Sequence, residues 1–161
     1  AKVIAAGAAR KQRVPIELAE QPPALSVMAE EAALGSVLAN LMRNAIDAMQ
    51  DAPVRTLRLQ ARPKEGRVVL SVTDTGPGIR PDILQRLFEP FVTGKAAGSG
   101  LGLGLVISAQ LVRSMDGTLR AANLDGGGAC FVIDLPAAIA VMHDSSSNPP
   151  VPDALSIAQQ E

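Results

Sequence analysis

Tryptophan and tyrosine are absent from this 161-residue chain, and phenylalanine occurs only three times. So few rings leave no stacking platform for nucleic-acid bases. A net charge of −1, from 15 basic and 16 acidic residues, gives no basic footprint for a phosphate backbone. Nucleic acid is therefore not an expected ligand. A single cysteine, Cys130, excludes an internal disulfide and fits a reducing compartment. It falls in an apolar, strand-like stretch and is expected to be a small buried residue. No apolar run approaches the roughly 18 residues needed to span a bilayer, and the first residues lack the charged start and apolar stretch of a secretory leader. The expectation is a soluble, cytoplasmic domain whose parent is free to be an inner-membrane sensor.

What is present is enough apolar residue, 47% of the chain, for one ordinary domain with a real core. Residues 1–13 read as the end of an upstream dimerisation or linker region. VPIEL (14–18) and ALSVMA (24–29) read as two short strands joined by a turn. Leu34, Val37, Leu38, Leu41, Ala45, Ala48 and Met49 then recur at helical spacing, with Glu30 and Glu31 where a helix start favours acids and Pro53 as a stop, predicting a helix over about 31–50. VRTLRLQAR (54–62) and RVVLSVTD (67–74) form an antiparallel hairpin. PDILQRLF reads as a short helix with Pro81 at its first position, 91–100 as a mobile loop, 101–115 as a helix, and 117–136 as a second hairpin turned by DGGG. The polar, proline-rich residues 139–161 read as a disordered tail. The predicted fold is α+β, a two-layer sandwich of a mixed, mostly antiparallel sheet with helices on one face, spanning 14–138.

Three stretches could carry chemistry. NLMRNAID sets Asn40, Asn44 and Asp47 along one stripe of an apolar helix, where asparagine is a poor helix former. The stripe is either a solvated face or a set of oxygen ligands for a hard cation such as Mg²⁺, which takes one or two protein groups plus phosphates. DTGPGI ends a strand with Asp74 and follows it with Gly76 and Gly78, so backbone can approach a flat ligand whose exocyclic amine the carboxylate accepts; the plainer reading is a common strand-to-helix turn with a capping acid. GKAAGSGLGLGL carries Lys95, Gly98, Gly100 and Gly102 into a helix start, an anion-binding arrangement. It lacks the spacing of a P-loop and is weak by itself.

Their order is more specific than any one of them. NLMRNAIDA resembles the N box, DTGPGI the G1 box, LFEPFVTGK the F box and GSGLGLGL the G2 box of sensor histidine kinase catalytic domains, within the wider gyrase, mismatch-repair and chaperone ATPase group that shares the Bergerat ATP-binding fold. The RNAxDA pattern is closest in flavour to nitrogen-regulation and dicarboxylate sensors. The resemblance implies ATP and Mg²⁺ as cofactors, with Asn44 on the metal and Asn40 supporting the phosphates from the same helix. Asp74 would accept from the adenine amine, with Gly76, Gly78 and Ile79 lining the base. Phe88 and Phe91 would anchor the lid, unless they are ordinary core packing. Lys95 would approach the phosphates, and Gly98, Ser99, Gly100, Leu101, Gly102 and Leu103 would form the phosphate loop. Arg43 and Asp47 are near enough by spacing to help, or are surface residues. Gly94, where many relatives have a bulkier residue, would loosen the lid.

The implied partners are ATP and ADP, a histidine-bearing dimerisation domain and a response regulator, with the isolated domain monomeric and the full-length protein a homodimer. Gyrase-like ATP-gated members resemble the chain in both glycine boxes, but they carry a water-activating glutamate where this chain has Asn40, and an amide cannot take a proton. Phosphoryl transfer needs mainly positioning and charge neutralisation. A serine-kinase anti-sigma regulator, or an adaptor that binds ATP without chemistry, keeps the same boxes and stays open. His143, the only histidine, lies in the tail without an acceptor-box context and is not the expected phosphorylation site.

Overall fold

The computed structural model describes residues 14–18, 25–94 and 101–138. The apolar period after Glu30 becomes helix α1, Glu31–Ala48, which buries Ala33, Val37, Leu41, Met42, Ala45 and Ile46 along one side. Strand β1 is Ile16–Leu18, and it pairs in parallel with β2, Leu57–Lys64. A parallel pair needs a long crossover connection, and α1 supplies it. β2 turns back through Glu65 and Gly66, both at positive φ as a two-residue hairpin turn requires, into β3, Arg67–Asp74. Helix α2 is Pro81–Leu84 and α3 is Gly104–Ser114. Strands β4, Thr118–Asn123, and β5, Ala129–Pro136, form the last hairpin.

The five strands lie in the order β1-β2-β3-β5-β4, with every pair after the first antiparallel. Residues alternate between faces along each strand. Leu57, Val68, Val72, Phe131, Ile133 and Leu135 point to the helical layer and close the core with Val37, Leu41, Met42, Ala45 and Val112. The two-layer sandwich with helices on one face is therefore the observed architecture.

Three expectations are corrected. ALSVMA does not form a strand: only Val27 pairs, as an isolated bridge to Ala137, while Met28 N–H donates to the Pro136 carbonyl and Ala138 N–H to that of Ser26. β1 finds its partner in β2 instead, so the segment clasps the end of β5. Cys130 is half-buried and faces away from the helices, beside Thr73, whose hydroxyl lies 3.4 Å from its Sγ. The inward positions of β5 are Ala129, Phe131, Ile133 and Leu135. Finally, α2 stops at Leu84 and α3 begins at Gly104, each shorter than its apolar pattern. Residues 1–13 and 139–161, with His143, lie outside the described residues.

Candidate functional site

Asp74 is the last residue of β3 and is only 3% exposed. Its Oδ1 accepts from Gly76 N–H at 2.9 Å and from Ala129 N–H at 3.3 Å. Burial pushes its carboxyl up from the ordinary aspartate range, and these two backbone donors pull in the other direction. Among the described residues no donor reaches Oδ2. One oxygen thus holds the turn and the other is available to an amine.

The turn is pinned on both sides. Thr75 Oγ1 accepts from Thr56 N–H at 2.9 Å and donates to the Val54 carbonyl at 2.8 Å. A Cβ at Gly76 would sit 3.2 Å from the Ala48 carbonyl, so the turn abuts the C-terminal end of α1. Ile79 packs on the core, and its backbone is bonded both ways to the Asn123 side chain, which also closes on Gly78. Gly128, in the last hairpin, sits at φ +90°, where a Cβ would overlap the Asp74 carbonyl oxygen. Gly128→Ala should therefore combine backbone strain with a steric clash and cost about 3 kcal/mol or more. Urea unfolding checks this, and a loss under about 1 kcal/mol would contradict the close approach.

The other end of the site lies along α1. Asn40 Nδ2 donates to the buried Ser108 hydroxyl of α3 at 3.0 Å, and Arg43 Nη2 donates to Asn40 Oδ1 at 2.9 Å. A Cβ on Gly104 would lie 2.9 Å from Asn40 Oδ1, so the first residue of α3 closes directly on the middle of α1. Asn44 and Asp47 follow on the same stripe, both half-buried. From Asn40 to Ala48 is eight residues, about 12 Å of helix. One helix thereby joins the acidic turn at its end to the start of α3 at its middle.

Gly102 adopts φ +67°, and a Cβ there would approach the Val92 carbonyl to 2.7 Å, so the chain on either side of residues 95–100 is drawn together. Phe88 is half-buried against the core, but Phe91, at φ +66°, is 75% exposed. Of the two phenylalanines expected at a lid, Phe88 packs on the core, whereas the left-handed turn leaves the Phe91 ring in solvent. Leu101 is exposed and Leu103 precedes α3 as its N-cap, with no side chain capping it. A Cβ at Gly94 would meet open space, so nothing steric requires glycine there. Lys95, Gly98, Ser99 and Gly100 lie outside the described residues.

Among the described residues no three His, Cys, Asp or Glu side chains gather to hold a metal by themselves. The α1 stripe carries side-chain oxygens of the kind that a hard cation takes one or two of alongside phosphates. Sequence reasoning missed Asn123, Ser108, Gly104, Gly128 and Ala129, all of which shape the site. The DGGG run was legible only as a turn, and nothing local marks what it packs against.

A family model described as histidine kinase-, DNA gyrase B-, and HSP90-like ATPase matches residues 29–139. The chain is 43% identical over 134 residues to the two-component sensor PprA of Pseudomonas aeruginosa, covering 80% of this chain and 14% of PprA. It is 39% identical over 131 residues to the C4-dicarboxylate transport sensor protein DctB of the same organism, covering 80% of this chain and 21% of DctB. It therefore spans only a small fraction of the length of these curated relatives. Full-length ShkA, solved in complex with AMPPNP, superposes with a TM-score of 0.72 at 33% identity, covering 85% of this chain and 29% of that one. Sequence, fold and the order of the boxes agree: the chain belongs to the histidine kinase-, DNA gyrase B- and HSP90-like ATPase family.

Proposed function

We propose that this chain is the ATP-binding catalytic domain of a two-component sensor histidine kinase, acting in the cytoplasm. It would bind Mg-ATP and pass the γ-phosphoryl group to a histidine on a separate dimerisation domain, for relay to a response regulator. Residues 14–138 would be the folded unit. The observation that carries this reading is the layout of α1, whose C-terminal end abuts the Asp74 turn and whose middle meets the first residue of α3.

In this reading Asp74 Oδ2 accepts from the adenine amine, while Gly76, Gly78 and Ile79 line the ring. Asn44 offers its amide oxygen to the cation, with Asn40, Arg43 and Asp47 on the same stripe. The cation neutralises phosphate charge. Lys95 and residues 98–103 bring positive charge and backbone N–H groups to the phosphates. Phe91, Leu101 and Ile107 are exposed apolar side chains around the start of α3, which suits a second domain that covers that edge during transfer. Hydrolysis by the gyrase route is disfavoured: the base position is Asn40, and its amide is engaged by Ser108 and Arg43.

The test is incubation of the chain with γ-labelled ATP and the separately produced dimerisation domain of the parent. Acid-labile label on that domain's histidine is expected. Free phosphate without labelled histidine would favour an ATP-gated switch, and label on serine an anti-sigma type kinase; either would overturn the proposal.

A further inference from the structure

Asn123 ends β4, 44 residues along the chain from Ile79. Its Oδ1 accepts from Ile79 N–H at 2.7 Å and its Nδ2 donates to the Ile79 carbonyl at 2.7 Å. The side-chain amide thus pairs with the backbone as a neighbouring strand would, at the last residue of the glycine turn. Its Oδ1 also lies 3.0 Å from where a Cβ of Gly78 would stand, so a side chain at 78 would crowd this pairing. The same hairpin grips the other end of the turn, through Ala129 N–H on Asp74 Oδ1 and the contact of Gly128 with the Asp74 carbonyl.

Asp74 and Ile79 are therefore both held by the β4–β5 hairpin, at either end of a segment whose two glycines would otherwise leave it free. We infer that Asn123 is a positioning residue for base recognition: through Ile79 it fixes the glycine turn against Asp74, and so sets how selectively the site accepts a purine bearing an amine. This rests on the nucleotide reading above. It concerns only the base end, because the phosphate end is built from α1 and the start of α3.

That separation provides the test. Asn123→Ala and Asn123→Asp, each in the full chain, are titrated calorimetrically with Mg-ATP, Mg-GTP and inorganic tripolyphosphate, and Ile79 amide exchange is followed without nucleotide. Asn123→Ala should expose the Ile79 amide to exchange, weaken ATP about tenfold as two hydrogen bonds are lost, and reduce the preference for ATP over GTP. Tripolyphosphate affinity should not move, whereas a merely structural defect would lower it in parallel.

Asn123→Asp should behave like the alanine variant at neutral pH, because a carboxylate repels the Ile79 carbonyl. A protonated carboxyl again offers one acceptor and one donor. Relative to the parent chain measured at the same pH, the aspartate variant should therefore recover as pH falls through the carboxyl range. An unchanged ATP-to-GTP ratio in Asn123→Ala, or equal losses for ATP and tripolyphosphate, would overturn the inference alone. A parent chain with no affinity for ATP would overturn it together with the nucleotide reading.

Discussion

Asn44→Ala is expected to keep the fold and lose Mg²⁺-dependent ATP binding, with phosphoryl transfer falling about 10²-fold or more. The two halves of this expectation have separate physical grounds. Alanine is a better helix former than asparagine by about 0.5 kcal/mol, and that gain offsets the loss of a polar contact at a half-buried position. Stability should stay within about 1 kcal/mol of the parent. Affinity has no such compensation, because Mg²⁺ takes only one or two protein oxygens and the described residues offer no carboxylate cluster to replace them. Titrations with magnesium and with EDTA separate the effects: the parent chain should lose affinity in EDTA, and the variant should be weak in both. Normal transfer by Asn44→Ala would remove the residue from the metal site and leave the stripe as a solvated helix face.

Asn40 sits one turn earlier on α1, where its amide bonds Ser108 and Arg43 and so ties α1 to α3. Asn40 was legible in the sequence as an odd residue on an apolar helix. That its partner is a hydroxyl 68 residues away was not.

The same limit explains what the sequence could and could not show elsewhere. α1 was readable to within two residues because its signal is local: a 3.6-residue apolar period, acids at the start and a proline beyond the end. The hairpins were readable from their turns. The face on which Cys130 lies was harder, because ACFVIDL is almost continuously apolar and hides its alternation; only Asp134, on the same parity as Cys130, marks the outward side. ALSVMA failed for a related reason: an apolar burst specifies burial, but its pairing partner is set by which sheet edge is open, and β2 had already taken β1. In the site, the boxes gave the residue types in order, whereas Asn123, Gly128 and Ala129 act through contacts that have no local signature.

Asp74→Asn should weaken ATP by about 10²-fold and shift preference towards a purine that presents a carbonyl, such as GTP or ITP. The argument turns on the division of labour within one carboxylate. Oδ1 is occupied by Gly76 N–H and Ala129 N–H, so the oxygen of an asparagine must take that place. Its NH₂ then stands where Oδ2 did, a donor facing the adenine amine. The loss therefore lies at the upper end of what one charged hydrogen bond contributes, about 1.5–3 kcal/mol, because two donors now oppose each other. Without nucleotide the sign reverses. Burial raises the folded-state pKa of Asp74, so the folded chain holds its proton more tightly than the unfolded one, and the parent loses stability as pH climbs from about 3.9 through the raised value. Asparagine removes that charge and its desolvation cost. The apo variant should consequently melt higher than the parent at pH 7, with the difference shrinking as pH falls through the same window. A variant that melts lower at pH 7, or that binds ATP and GTP in the parent's ratio, would show that Asp74 serves the fold and not the base.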